Sequence, residues 1–287
     1  MFRRFSISLC LALALVLVAS TSIYAAGINH GDFTLNTTEI ERLKSLGFSE
    51  EQLDLMTLEE HEALISKIGA STRGEIVGVE TSYYRVSTED GVTEISKEQA
   101  DEELLEYESR VTAFASDTAT TSWMRMTTTS SSLGQGEYYL MNSFRWLTRP
   151  VYALTDVVGM SFNPNLTYIQ DSEYASYTRE YGGVNPPSPE LDHLFYAQHK
   201  SANAGIAFDI DLKLYSNNGY RMTETHSGYM SFRVRKNNTT ATSTNVYGHY
   251  SHLYNTINFD VSFPAGMAIS GLTQHDDMDD TGISFNF

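Results

Sequence analysis

The stretch Ile206-Ala-Phe-Asp-Ile-Asp-Leu-Lys-Leu-Tyr215 sets Ile206, Phe208, Ile210, Leu212 and Leu214 against Ala207, Asp209, Asp211, Lys213 and Tyr215. Alternation with period two marks an antiparallel strand with one face in a core and the other toward water. It recurs at Met230-Ser-Phe-Arg-Val-Arg235, Ile257-Asn-Phe-Asp-Val-Ser-Phe263 and Ile283-Ser-Phe-Asn-Phe287, with turn residues at Asn217-Asn-Gly219 and Asn237-Asn238. About eight such strands separated by turns predict an antiparallel β-sandwich or jelly-roll-like domain, which the pattern places at residues 117–287. Within it, Ser188-Pro189-Glu190 has the form of a helix start with proline at the first helical position, so a helix is expected over Pro189 to Lys200.

Upstream the pattern changes. Residues 31–117 hold 21 acids and 7 basic side chains, a net of −14, whereas residues 118–287 hold 15 and 10, a net of −5. Thr38 with Glu41, Ser49 with Gln52 and Thr57 with Glu60 have capping-box spacing, which predicts three short helices. Gly47 is placed to end the first in a left-handed conformation. Gly74 to Val86 reads as a strand, Asp90-Gly91 as a turn, and Ser96 with Gln99 as the start of a helix to about Arg110. Residues 27–116 are therefore expected to form a small acidic helical or α+β module, or a removable prosegment, before a mainly β chain.

The chain of 287 residues is 41% hydrophobic and only 19% charged, which rules out wholesale disorder, and its net charge of −17 argues against a nucleic-acid partner. Arg3 and Arg4 precede the apolar run Leu9–Ala19, and small residues follow to Ala25 and Ala26. This is the composition of a secretory signal peptide over residues 1–26. Its removal takes away Cys10, the one cysteine, and leaves no thiol for catalysis, cross-linking or metal binding.

No complete catalytic signature is present. Asp209 and Asp211 share one face of a strand, and Glu173, Glu180 and Glu190 are further carboxylates for a wall or glycan hydrolase. His193 with His199, and His249 with His252, lack zinc-ligand spacing. Asp277, Asp279 and Thr281 occupy positions one, three and five of a calcium loop, with Gly282 at the sixth, but the twelfth-position glutamate is missing. Calcium is thus a weak cofactor expectation. Fourteen of the 18 tyrosines follow residue 117. Tyr168, Tyr174, Tyr177, Tyr181, Tyr247, Tyr250 and Tyr254, set among Ser, Thr and Asn, are expected to form a binding surface for glycan, wall polymer or protein.

The signal-like start, the element Leu46-Gly-Phe-Ser-Glu-Glu51 and the Tyr/Ser/Thr-rich β region together resemble uncharacterised exported β-rich proteins of Gram-positive spore-forming bacteria. The resemblance implies an extracellular location and carries over no catalytic residues. The expectation is a secreted, non-catalytic binding protein. A membrane-active β-protein using Trp123, Met124 and Met126 is the alternative, disfavoured by the acidic charge, and a glycan hydrolase the other.

Overall fold

The computed structural model describes residues 28–30, 33–70, 72–111, 120–182, 189–255, 258–263, 266–271 and 274–287. The signal-peptide segment 1–26 lies outside them. In chain order the elements are β1 (Ile28–His30), β2 (Phe33–Leu35), α1 (Thr37–Ser45), α2 (Glu50–Leu55), α3 (Leu58–Ile68), β3 (Glu75–Ser87), β4 (Gly91–Ile95), α4 (Lys97–Val111), β5 (Thr121–Gly134) and β6 (Glu137–Trp146). There follow β7 (Thr155–Phe162), β8 (Leu166–Tyr168), β9 (Tyr174–Tyr181), β10 (Glu190–Leu194), β11 (His199–Ser201), β12 (Gly205–Asp211), β13 (Thr223–Lys236) and β14 (Ser243–Asn255). The last four strands are β15 (Phe259–Ser262), β16 (Ala268–Gly271), β17 (Gln274–Asp277) and β18 (Thr281–Asn286).

Two antiparallel sheets form a sandwich. One has eight strands in the order β10-β9-β13-β6-β5-β3-β4, with β8 also on β13; the other has six in the order β11-β12-β7-β14-β17, with β18 also on β14. The alternating apolar residues meet between them: Leu140, Phe144 and Trp146 from β6, Met230 and Phe232 from β13, Val158 and Met160 from β7, and Ile206 and Phe208 from β12. Their burial is the main stabilising contribution, about 2 kcal/mol for each large side chain fully removed from water.

The eight-stranded sheet is apolar on its other face as well. Tyr139, Met141, Tyr174 and Tyr229 point outward and pack under α1–α3, against Leu43, Leu46, Phe48, Leu53, Met56, Leu64 and Ile68. The helices begin close to where the sequence places them. Ser49 and Gln52 form the expected capping box, whereas the first box is made by Asn36 and Glu39, two residues earlier than read. At the third, Thr57 caps the Glu60 amide, but the Glu60 side chain is buried. Gly47, with φ +104°, ends α1 as expected. Farther along this face, α4 packs Ala100, Leu104 and Tyr107 against Trp123 and Tyr83.

Two arrangements depart from the sequence reading. In place of the helix expected from Pro189 to Lys200, residues 190–194 pair with β9 and residues 199–201 with β12. An edge strand here satisfies backbone groups of β9 and brings Glu190 and Asp192 within 3.2 and 3.4 Å of the fully buried Arg179; an unpaired guanidinium in that position would be strongly unfavourable. The eight-stranded sheet also runs across the expected 116/117 boundary. β3 pairs with β5 from Glu75↔Ser132 to Ser87↔Thr121, so the acidic segment supplies two strands of the sheet as well as the helices above it.

This continuity leads to a test by truncation. A chain begun at Thr120 is expected to aggregate or lack a cooperative unfolding transition, because β5 loses β3 along its whole length and, paired only with β6, becomes an exposed edge. One begun at Arg73 keeps every strand of the two main sheets but uncovers the four outward aromatic and methionine side chains, and is expected to unfold at lower denaturant. Circular dichroism with urea titration separates these outcomes, and a soluble, cooperatively folded fragment begun at Thr120 would contradict them.

Candidate functional site

Between the α1–α3 cover and the α4 cover, the outer face of the eight-stranded sheet remains open as a trench with a cavity of about 530 Å³. Strand register explains its lining. One rung across the sheet is Thr81–Thr127–Ser143–Tyr229–Ser176, and the next is Tyr83–Arg125–Arg145–Ser227–Thr178, contributed in each case by β3, β5, β6, β13 and β9. Neighbouring strands lie about 4.8 Å apart, so each five-strand rung crosses about 19 Å. Small hydroxyl residues on these rungs leave the floor low, while α2 and its N-cap form a wall with Ser49, Glu51 and Gln52. Tyr83 separates the trench from the α4 cluster.

The two arginines are held upright by carboxylates. Glu51 accepts from Arg125 at 2.5 Å and lies 3.0 Å from Arg145 Nε, and Arg145 also donates to Glu180 at 2.7 Å. These groups are partly exposed, so each pair contributes at most about 1 kcal/mol to stability. Their larger effect is geometric: they tie α2 to the sheet and fix two guanidinium forks along one edge of the trench.

Deeper in the same region lies Glu60, 4% exposed beneath α3. Burial pushes its carboxyl up to about 7, and the nearby Ser176 and Tyr229 hydroxyls oppose that rise only partly. The Tyr229 hydroxyl is itself raised by burial and by the Glu60 charge. Near neutral pH the trench lining therefore contains two fixed cations, the Glu50 and Glu51 charges, a carboxyl close to half-protonated and a floor of hydroxyls. Such a lining forms hydrogen bonds with a hydroxylated ligand while carrying little net charge.

The tyrosines expected to form a surface are mostly inside. Tyr174, Tyr177, Tyr181 and Tyr250 are buried; their strands are covered on both faces, and the phenols fill core space. Tyr168 donates to Glu173, Tyr254 donates to Asp276 at 2.6 Å, and Tyr247 alone of the seven is exposed, at 38%. At the trench the tyrosines are Tyr83 and the buried Tyr229, neither of them among the seven.

Other candidate residues have separate partners. Asp277 accepts from Ser251 at 2.5 Å, Thr281 bonds the Thr128 hydroxyl in the interior, and Asp279 turns its carbonyl to the Tyr84 hydroxyl. The three calcium-loop residues thus do not converge on one point, and among the described residues no group of three or more His, Cys, Asp or Glu is arranged to hold a metal ion. Asp209 bonds His199 at 2.9 Å, Glu173 pairs with Lys200, and Asp211 is exposed. Met124 and Met126 lie in the core, and Trp123 lies under α4. Among the described residues, no helix is long and apolar enough to cross a membrane.

One hydrogen-bonded chain has the residue types of a nucleophilic triad: Asp280 accepts from His249 Nδ1 at 2.5 Å, and Ser161 Oγ lies 2.7 Å from Nε2. Ser161 is buried, with sheet partners on both sides at Gly205 and Tyr247. The β15–β16 hairpin presses on the same surface: a Cβ on Gly159, the residue opposite His249, would meet Met267 Sδ at 2.5 Å. The backbone groups of Ser161 and His249 among the described residues are committed to the ladders, and the hydrogen-bonded chain ties Asp280 of the β17–β18 loop to the sheet.

Comparison with protein-family models yields no match, and no curated protein matches the chain.

The Glu60 environment yields a pH prediction. The folded-state value is above the unfolded one, so the folded chain binds the extra proton and stability falls as pH rises from about 4.5 to about 7. Glu60→Gln should remove that contribution, being more stable than the parent at pH 8 by up to roughly 3 kcal/mol and losing the advantage near pH 4.5. Urea titrations of both proteins across this range provide the check.

Proposed function

We propose that this is a secreted, non-catalytic binding protein that takes a short stretch of extracellular glycan or wall polymer into the trench. The observation that carries the reading is the pair of rungs, in which hydroxyls from Thr81, Thr127, Ser143, Thr178 and Ser227 lie beside the forks of Arg125 and Arg145. Hydroxyls and guanidinium groups exchange hydrogen bonds with sugar hydroxyls, and the Tyr83 ring offers a flat apolar edge for a sugar face. At about 19 Å, the trench suits several linked units better than one ring. The signal-like N-terminus supports an extracellular location, and the layout resemblance points the same way.

A lipid surface is the second reading, favoured by a different feature. The segment 214–222 exposes Leu214, Tyr215, Tyr220 and Met222, with Tyr220 at 89%. Aromatic and apolar side chains on a protruding turn are of the kind that enter a membrane interface.

Filling the trench separates the two. Ser143→Phe places a ring on the floor without touching the core between the sheets, and is expected to abolish retention on cell wall or insoluble glycan. Tyr220→Ala should leave that retention unchanged. Sedimentation with cell wall, insoluble glycans and liposomes measures both variants. Glycan retention untouched by Ser143→Phe would overturn the trench reading, and liposome retention lost in Tyr220→Ala would support the second.

A further inference from the structure

A second cavity, of about 180 Å³, lies where the β3–β4 turn meets β14 and β17; its walls include Tyr152, His252, Tyr254 and Asp276. Three of these are rings in a triangle. Their centroids are 5.5 Å apart for Tyr152 and Tyr254, 6.5 Å for Tyr152 and His252, and 6.3 Å for His252 and Tyr254. Among the described residues the lining contains a carboxylate, Asp276, but no lysine or arginine. Asp276 accepts from the Tyr254 hydroxyl at 2.6 Å, which fixes the carboxylate beside the rings.

His252 forms the inner wall and has an unmet valence. Its Nδ1 donates to the fully buried Asp156, 2.9 and 3.0 Å from the two carboxylate oxygens, and Asp156 also accepts from the Tyr250 hydroxyl at 2.5 Å and the Leu253 amide at 3.2 Å. With Nδ1 committed as donor, the neutral ring offers Nε2 as an acceptor. That nitrogen is buried and meets no hydrogen-bond partner in the protein. A buried polar atom left in this state is costly unless something fills it.

We propose that this cavity binds a small organic ammonium ion that carries a hydrogen-bond donor, an amino alcohol being the simplest case. The charge sits by the Tyr152 and Tyr254 rings and Asp276, where ring quadrupole and carboxylate both favour it, and the hydroxyl or N–H of the ligand donates to His252 Nε2. The inference is independent of the trench: it uses a different cavity and different side chains.

Proton binding should compete with the ligand. The groups facing His252 are Asp156 from β7, Trp146 from β6, Tyr250 and Tyr254 from its own strand, Asp276 from β17, Tyr152 from the segment before β7, and His226 from β13. Burial alone would pull the imidazole down, but the Asp156 charge and hydrogen bond, with the Asp276 charge, outweigh it and leave His252 above the ordinary histidine value. Burial holds His226 down at about 3, so it stays neutral. A protonated His252 repels an ammonium ion and no longer accepts its donor. Affinity is therefore expected to fall as pH drops through the His252 titration.

The test is calorimetric titration of the intact chain with ethanolamine, choline, tetramethylammonium and the neutral choline isostere 3,3-dimethylbutanol, at pH 8.5 and pH 5.5. Ethanolamine and choline should bind saturably at pH 8.5, about tenfold more weakly at pH 5.5, and more tightly than tetramethylammonium, which lacks the donor. The neutral isostere should not bind. Asp276→Asn and Tyr152→Ala should each weaken choline about tenfold; Tyr152 is 43% exposed, so its loss leaves the core in place. Equal binding of the neutral isostere, no effect of Tyr152→Ala in a chain that retains its near-ultraviolet dichroism, or no heat with ethanolamine up to about 10 mM would overturn the proposal.

Discussion

The central strands β6 and β13 are apolar on both faces, and this constraint organises the molecule. Leu140, Phe144, Met230 and Phe232 face the six-stranded sheet, while Tyr139, Met141 and Tyr229 face the other way. A strand with two apolar faces has to lie in a middle layer. The N-terminal helices supply the third layer. They are short, with α2 only six residues long, and helices of that length persist through packing on a partner rather than through their own propensity. The trench exists because this third layer is discontinuous: α1–α3 cover one patch, α4 covers another, and the hydroxyl rungs between them tolerate water.

Among the described residues three carboxyls are deeply buried, Asp156, Glu60 and Glu173, and the first two have opposite surroundings. Asp156 has donors on each side, from Tyr250, His252 and the Leu253 amide, and Trp146 extends the network by donating to Tyr250 at 3.0 Å. A charge so surrounded is compensated within the protein. Glu60 has hydroxyl neighbours but no cation within ion-pair distance among the described residues, and holds its proton to higher pH instead. One carboxyl thereby fixes the geometry of a histidine at a cavity, and the other leaves the trench region sensitive to pH.

Local patterns were readable and distant pairings were not. The alternation at Ile206, Phe208 and Ile210 located β12 and its inward face, although the pattern read on to Leu214, which lies beyond the strand and is exposed; Ser49 with Gln52 located α2, because both signals are complete within a few residues. Ser188-Pro189-Glu190 had the form of a helix start, but pairing with β9 and the needs of Arg179 decided for a strand. The run Thr127 to Ser132 holds only Thr and Ser and has no apolar alternation; in the sheet Thr127 faces the trench and Thr128 bonds Thr281 and Asn142 in the interior. The trench itself was invisible, since Thr81, Thr127, Ser143, Ser227 and Thr178 become neighbours only through the register of five strands. Tyrosine clustering misled for a related reason: on strands covered on both faces, the same composition fills a core.

The contact between β3 and β18 has a kinetic consequence. Glu80 accepts from the Gly282 amide, 202 residues away in sequence, and the Tyr84 hydroxyl reaches the Asp279 carbonyl across 195. Closing loops of that size carries a large entropy cost before any contact compensates it, and topologies dominated by distant pairings fold slowly. Until β18 arrives, the Ser243–Gly248 edge of β14 and the inner face of β3 are uncovered, so the interval before closure is when the chain is open to mispairing with other copies. A sandwich fastened by one of its last strands thus favours conditions in which newly made chains stay dilute or are kept apart.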